Sequence, residues 1–193
     1  MTMASDILRI HSVTVYCSSS RGVAQPYFEA AAELGTRIAQ EHWLLIYGGN
    51  NIGCMGAMAD AARAAEGKVI GITPQLLADH GIADKLCDEL VITATIRDRK
   101  AMMEARGQAF ITLPGGLGTL EEIFEIIVGK TLGYHNKPIV ILNIADFFNP
   151  LLDMIDHGIG QNFIKPWARE LFHVSQTVND AIQYLKKEWA EIG

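Results

Sequence analysis

The chain has 193 residues, a formal net charge of −6, 49% hydrophobic residues and 20% charged residues. This length and apolar content suit one α/β domain, so we predict a single domain over residues 1–193 and exclude intrinsic disorder. Binding to nucleic acid generally uses a basic face, so an acidic chain is not expected to have a nucleic-acid partner.

Short apolar segments alternate with helical segments along the chain. Strands are predicted at 11–17, 43–49, 68–73, 89–93, 109–116 and 137–143, with a seventh candidate at 172–175. Helices are predicted at 26–41, 55–67, 97–107, 120–133 and 179–192. The strands are rich in β-branched residues and mostly apolar on both faces, as in a sheet covered on both sides. The pattern predicts a doubly wound, Rossmann-like α/β fold, with a mostly parallel sheet of six or seven strands flanked by helices.

The cysteines and histidines give no sign of a metal site. Cys17, Cys54 and Cys87 form no C-x-x-C pair, and the six histidines have no metal-ligand spacing. Scattered cysteines of odd number fit reduced thiols, so a cytoplasmic location is expected. The N-terminus has no apolar signal-peptide core, and no apolar run reaches the roughly 18 residues that span a bilayer, so no membrane partner is expected.

Glycine- and serine-rich loops follow three predicted strands. They read CSSSRG (17–22), YGGNNIGCMG (47–56) and LPGGLGTLEE (113–122). Ligands bind outside the carboxyl ends of parallel strands, where glycines expose backbone N–H groups and helix starts favour anions. Any one of these loops is adequately explained as a tight turn. Three donor-rich loops at one edge of the sheet predict a ligand that carries phosphate, and Met55, beside the second loop, could contact a base.

The same loops argue against the common nucleotide fingerprints. They contain neither G-x-G-x-x-G nor G-x-x-x-x-G-K-[ST], so a dinucleotide cofactor and a Walker-type triphosphatase are not indicated. No lysine has a convincing context for binding pyridoxal phosphate. We therefore predict no cofactor.

Basic residues cluster between positions 97 and 106. Four of the sixteen lie in these ten positions: Arg97, Arg99, Lys100 and Arg106. Arg99 and Lys100 stand at the start of a predicted helix, where positive charge opposes the helix dipole. The cluster is either a solvated helix face with local ion pairs or a group of cations that holds an anion.

The adjacent Glu121 and Glu122 allow two interpretations. Thr119 and Glu122 fit a capping box, in which Glu122 bonds back to the backbone of Thr119, while Glu121 favours the helix dipole. Alternatively, the glycines hold the 5′-phosphate of a nucleotide and a glutamate one turn along faces its ribose. A carboxylate there could stabilise an oxocarbenium-like centre or activate water, as glycosidic bond cleavage requires.

Several of these segments resemble the LONELY GUY (LOG) family. PGGLGTLEE (114–122) resembles the family signature P-G-G-x-G-T-x-x-E, and IRDRK (96–100) resembles its M-x-x-R-K motif, with Ile96 in place of methionine. YCSSS and YGGNNIGCMG resemble the family's Y-C-G-S-S and Y-G-G-G-x-x-G-L-M-G. Ser18 replaces a family glycine, and Asn50 and Asn51 alter the second loop, so the departures concern substrate choice more than the reaction.

The resemblance implies a cytokinin riboside 5′-monophosphate phosphoribohydrolase. Such enzymes hydrolyse the N-glycosidic bond of N6-substituted adenosine monophosphate, and often of AMP, to free base and ribose 5-phosphate. It implies Arg99 and Glu122 as the catalytic pair. The substrate- and phosphate-binding residues that we predict are Gly115, Gly116, Gly118, Thr119, Lys100, Glu121, Ser19 and Gly49. It also implies a homodimer or larger homo-oligomer.

A carrier function is the alternative. Proteins that carry molybdenum cofactor share the fold, and a non-catalytic nucleotide or cofactor carrier needs the anion site without a paired Arg99 and Glu122. The presence of both residues favours the enzyme.

Overall fold

The computed structural model describes residues 11–192; the N-terminal segment, for which the sequence predicts no signal peptide, lies largely outside the described residues. One sheet contains seven strands in the order β4-β3-β2-β1-β5-β6-β7, and every pairing in it is parallel. The strands are β1 (Ser12–Tyr16), β2 (Leu44–Tyr47), β3 (Val69–Pro74), β4 (Glu89–Thr93), β5 (Ala109–Thr112), β6 (Ile139–Leu142) and β7 (His173–Ser175). The doubly wound parallel fold and its seventh strand are confirmed.

Helices cover both faces of the sheet. They are α1 (Gln25–Gln40), α2 (Gly53–Ala64), α3 (Gln75–Asp79), α4 (Ile96–Arg106), α5 (Leu117–Thr131), α6 (Asn149–Gly160) and α7 (Val178–Ile192). Helices α1, α2 and α7 pack in one hydrophobic cluster, and α4, α5 and α6 pack in the other. None of the helices in the described part of the chain is long and apolar enough to cross a membrane.

Alternation along the strands divides the core between these two layers. In β1, Val13 and Val15 face the α1 side, whereas Tyr16 faces the α5 side, because successive strand residues point to opposite faces. All five residues of β1 are buried. Ser12 and Thr14 are buried although they are polar, because their hydroxyls donate hydrogen bonds to the carbonyl oxygens of Arg106 and Met103, each at 2.8 Å.

The sequence does not predict α3 or α6. Helix α3 has five residues, too few to show a helical period. Helix α6 has the sequence NPLLDMIDHGIG, and its glycines at 158 and 160 weaken the helical signal. Leu152 and Ile155 nevertheless bury one face of α6 against the sheet.

The sheet changes direction of winding between β1 and β5. Strands β2, β3 and β4 continue to one side of β1, and β5, β6 and β7 continue to the other. Loops leaving the carboxyl ends of β1 and β5 therefore diverge and leave a crevice, which is the usual ligand site of such sheets. The loop with Ser18–Ser20 follows β1, and the loop with Gly115 and Gly116 follows β5.

Candidate active site

A cavity of about 340 Å³ lies at this crevice. Its lining combines all three loops predicted from the sequence with one side chain from α3 and one from α4. The lining residues are Cys17, Ser18, Ser19, Ser20, Asn50, Met55, Leu77, Arg99, Gly116, Gly118, Thr119 and Glu122.

Helix α5 presents its N-terminus to the cavity. Gly116 is its N-cap residue, has extended backbone dihedrals and makes no side-chain cap. The first backbone N–H groups of a helix have no partner within the helix, and the helix dipole makes this end positive. Gly116 and Gly118 have open space where a side chain would stand. The arrangement suits an anion of the size of a phosphate group.

Of the two interpretations of Thr119 and Glu122, the capping box is ruled out. Helix α5 begins at Leu117, not at 120, so Thr119 already lies inside the first turn and cannot be the N-cap residue. The capping box of this region is at the start of α4, where Thr95 and Asp98 bond reciprocally to each other's backbone N–H groups. Glu122 is thus free of a capping role.

Arg99 and Glu122 form a buried ion pair in the wall of the cavity. Nη1 of Arg99 lies 3.2 Å from Oε1 of Glu122, and the two side chains are 7% and 5% exposed. Nε of Arg99 donates a hydrogen bond to the carbonyl oxygen of Ile72, at 3.0 Å. Because a buried charge is costly unless it is paired and hydrogen-bonded, each partner depends on the other.

The carboxyl group of Glu122 has a raised pKa, so both of its protonation states are populated at neutral pH. Burial raises its pKa to about 7, although the guanidinium of Arg99 acts in the opposite direction. An acid with this pKa exchanges its proton readily at neutral pH, which is a property of general acid–base catalysts. Perturbed carboxyl groups in clefts are therefore good candidates for catalysis.

Gly48 packs directly under the guanidinium of Arg99. A β-carbon at Gly48 would collide with Nη2 of Arg99 and would lie 2.9 Å from Cε of Met55. The loop after β2 thus leaves space for both side-chain ends. The sequence predicts the neighbouring Gly49 as a site residue, but a β-carbon there would face β3, at 3.1 Å from the backbone nitrogen of Ile72.

The first two loops pack against each other. The backbone N–H of Met55 donates to the carbonyl oxygen of Ser18, at 3.2 Å. Gly53 has a φ of +65°, and a β-carbon there would collide with the backbone of Ser19. A glycine is needed at this position for both reasons, since other residues rarely adopt such a φ. The contact holds Ser19 and Met55 beside the same cavity.

The predicted site residues do not all line this cavity. Six of them do: Arg99, Glu122, Gly116, Gly118, Thr119 and Ser19. Gly115 lines an adjoining cavity of about 250 Å³, beside Tyr27 and Phe147. Gly49 lines neither cavity.

The remaining two predicted residues, Lys100 and Glu121, do not line the cavity and form an ion pair with each other. Nζ of Lys100 lies 2.6 Å from Glu121 and 3.0 Å from Glu125. The two adjacent glutamates thus differ in surroundings, since Glu122 is buried against Arg99 whereas the side chain of Glu121 is 60% exposed. Roles for Lys100 and Glu121 in binding the substrate stay predictions.

Several lining residues were absent from the predicted site. Ser18 and Ser20 lie in a loop that the sequence already indicated. Cys17 lies at the end of β1, and burial raises the pKa of its thiol well above the usual range, so it stays protonated and is a poor nucleophile. Leu77 comes from α3, which the sequence did not predict, and Asn50 was noted only as a departure from a family pattern.

No group of three or more His, Cys, Asp or Glu side chains that could hold a metal ion occurs within residues 11–192.

Known proteins are similar to this chain over most of its length. The family model described as Possible lysine decarboxylase matches residues 55–185. The cytokinin riboside 5′-monophosphate phosphoribohydrolase of Mycobacterium tuberculosis is 39% identical over 95% of this chain and 97% of its own length. The cytokinin riboside 5′-monophosphate phosphoribohydrolase LOG5 of Arabidopsis thaliana is 38% identical over 92% of this chain and 78% of its own.

Solved structures share the fold at lower identity. The molybdenum cofactor carrier protein from Chlamydomonas reinhardtii has a TM-score of 0.73 and 24% identity, covering 94% of this chain and 99% of that one. The molybdenum cofactor binding protein from Rippkaea orientalis has a TM-score of 0.71 and 22% identity, covering 93% and 98%. These likenesses concern the fold alone. From the family model and the more similar sequences, the chain belongs to the LONELY GUY family, the family whose model is described as Possible lysine decarboxylase.

Proposed function

We propose that this protein hydrolyses the N-glycosidic bond of adenosine 5′-monophosphate or its N6-substituted forms, giving free base and ribose 5-phosphate. The observation that carries the proposal is the buried ion pair of Arg99 and Glu122 in a cavity that also contains the open N-terminus of α5. The names of its relatives, cytokinin riboside 5′-monophosphate phosphoribohydrolases, support the same reaction.

The 5′-phosphate binds at the start of α5. Backbone N–H groups from Leu117 onward, the hydroxyl of Thr119 and the space beside Gly116 and Gly118 provide the anion site. Ser19 approaches from the loop after β1 and adds a hydroxyl. Binding is pre-organised, because these donors need no rearrangement to meet the phosphate.

Glu122 lies one helical turn after Thr119 and so faces the ribose of a nucleotide held in this way. Its ionised carboxylate takes a proton from a water molecule, whose oxygen bonds to the anomeric carbon as the bond from that carbon to the base breaks. The electrons of the broken bond leave with the base, which takes up the proton that Glu122 removed from the water, so that the carboxylate is regenerated. Arg99 orients the carboxylate and keeps its pKa from rising further.

A carrier function has less support. The molybdenum cofactor proteins that share the fold are less than 25% identical to this chain, so their likeness does not extend to a ligand. A carrier has no use for a carboxyl group whose pKa is about 7 beside the bound molecule. Release of product would therefore distinguish the two functions.

The proposal extends to the whole chain as one nucleotide-binding domain, acting in the cytoplasm as a homodimer or larger homo-oligomer. The outer face of α5 supports the assembly: Leu117, Phe124, Val128 and Leu132 are large apolar side chains that are 86%, 40%, 51% and 61% exposed. A second copy that covers this face would lie close to the cavity, since Leu117 adjoins the phosphate site.

Chromatography of the products tests the proposal. Purified protein is incubated with AMP, isopentenyl-AMP and adenosine at equal concentrations. We expect free base from the two nucleotides and little or none from adenosine, because the nucleoside lacks the phosphate that α5 holds. Equal turnover of AMP and adenosine would contradict the phosphate site, and no release from any of them would favour a carrier. The ratio of the two nucleotide rates indicates whether a cytokinin nucleotide or AMP is preferred.

A further inference from the structure

Asn50 has an unused carboxamide in the wall of the cavity. The residue is 4% exposed and lines the cavity, and its Oδ1 has no hydrogen-bond partner among the described residues. Burial of an amide oxygen without a partner costs free energy, so folded proteins rarely retain one without a use. The mechanism above makes no use of it.

The backbone around Asn50 is already fixed by other contacts. Asp84 N–H donates to the carbonyl oxygen of Gly49, at 2.8 Å, and Asn51 N–H donates to that of Ile82, at 2.9 Å. The carboxylate of Asp84 in turn accepts a hydrogen bond from the hydroxyl of Tyr47, at 2.6 Å. These bonds tie the loop on either side of Asn50 in sequence to the segment 82–84, so the carboxamide of Asn50 is not needed to shape it.

The position of Asn50 suits the base of the proposed nucleotide. Strand β2, which leads to Asn50, lies two strands from β5, which leads to the phosphate site. Strands are about 4.8 Å apart, so the two loops begin roughly 10 Å apart. The base is the part of a nucleoside monophosphate that is farthest from the phosphate. Met55 and Leu77 line the same cavity and give it apolar surface for the faces of a ring.

We propose that Asn50 recognises the base by pairing with the N6 and N7 edge of adenine, an inference that rests on the proposed function. The N6–H of adenine donates to Oδ1 of Asn50, and Nδ2 donates to N7, the pairing that asparagine commonly makes with adenine. Since Oδ1 is sealed from solvent in this rotamer, a partial turn of the side chain is needed for the carboxamide edge, with both Oδ1 and Nδ2, to face the base. An N6-substituted adenine retains one N6–H and is accepted, whereas a 6-oxopurine offers only acceptors on this edge.

Comparison of substrates in matched variants tests this role. The kcat/KM values for AMP, IMP and purine riboside 5′-monophosphate are measured for the wild type, Asn50→Leu and Asn51→Leu. Leucine is close in size to asparagine but has no polar group, and Asn51 is exposed and lies outside the cavity lining. We expect Asn50→Leu to lose about tenfold of the preference for AMP over the other two nucleotides, the effect of a single neutral hydrogen bond. Asn51→Leu should keep the wild-type preference.

The stability of the variant separates recognition from a structural role. Since Asn50→Leu removes an unpaired buried oxygen, its thermal midpoint should equal or exceed that of the wild type. An unchanged preference for AMP or a lower thermal midpoint would overturn the assignment. If the wild type hydrolyses no nucleotide, the proposed function fails separately, and calorimetric binding of AMP and IMP by the same variants still decides the role of Asn50.

Discussion

Replacing Gly48 with alanine should inactivate the enzyme while leaving it folded. The added β-carbon would collide with Nη2 of Arg99 and would lie 2.9 Å from Cε of Met55. Gly48 is not among the residues with positive φ, so alanine fits its backbone. The conflict therefore concerns only two side-chain ends.

The expected effects on stability and on activity differ in size. Both contacted atoms are ends of flexible side chains that can move, so we expect a loss of about 1 kcal/mol in the free energy of unfolding. To regain an ordinary contact of about 3.5 Å, the guanidinium of Arg99 must shift by on the order of 1 Å, which separates it from Glu122 or Ile72. A displacement of this size in an active site costs roughly 100-fold in rate, or about 2.7 kcal/mol in the barrier.

The assay compares Gly48→Ala with Gly160→Ala. Gly160 ends α6 and has no heavy atom within 4 Å of an added β-carbon, so its substitution should change neither property much. Urea denaturation gives the free energy of unfolding, and release of adenine from AMP gives kcat/KM. Wild-type activity in a folded Gly48→Ala variant would refute the view that the position of Arg99 is essential.

Three further predictions follow from the geometry of α5. Gly118→Ala should raise KM for AMP at least several-fold, because the added methyl group fills the phosphate site. It should not destabilise the helix, since alanine has a helix propensity that is more favourable than that of glycine by up to about 1 kcal/mol. An unchanged KM would place the phosphate elsewhere. Because Glu122 acts ionised and its pKa is about 7, kcat/KM should rise with pH and reach half its maximum near pH 7; a flat profile would exclude it as the base. Burial raises this pKa from its ordinary 4.5, so protonated Glu122 favours the fold below pH 4.5. Below pH 4.5, this effect should contribute about 3 kcal/mol to the free energy of unfolding, relative to Glu122→Gln. Urea titrations should show that the contribution is lost between pH 4.5 and about 7. A constant difference in the free energy of unfolding between the two proteins would contradict the prediction.

Most strands and helices could be predicted, because the strands are short segments rich in β-branched residues and because α1, α2, α4, α5 and α7 have helical sequence patterns. The start of α5 could not be placed as well. Gly116 and Gly118 have low helix propensity, so the sequence predicts a helix only from 120 and leaves Thr119 as a possible cap. In the protein these glycines begin the helix and leave its N-terminus open. The low helix propensity of these two glycines thus coincides with the proposed phosphate site.

Contacts between side chains that are far apart in the chain cannot be predicted from a single sequence. Arg99 and Glu122 come from different helices, and the family resemblance, not their spacing, implied that they act together. That their side chains meet at 3.2 Å follows from the packing of α4 and α5 on the same face. The burial of Asn50 likewise depends on the segment around Asp84, which covers the loop after β2.

The central claim is that Glu122 breaks the glycosidic bond of a nucleotide held at the start of α5. The most direct measurement is the amount of ribose 5-phosphate formed from AMP by wild-type protein and by Glu122→Gln, with AMP binding measured calorimetrically on both. We expect ribose 5-phosphate and adenine in equal amounts from the wild type. Glu122→Gln should bind AMP but lose roughly 100-fold or more of the turnover. Near-normal turnover by Glu122→Gln, or no ribose 5-phosphate from the wild type, would contradict the claim.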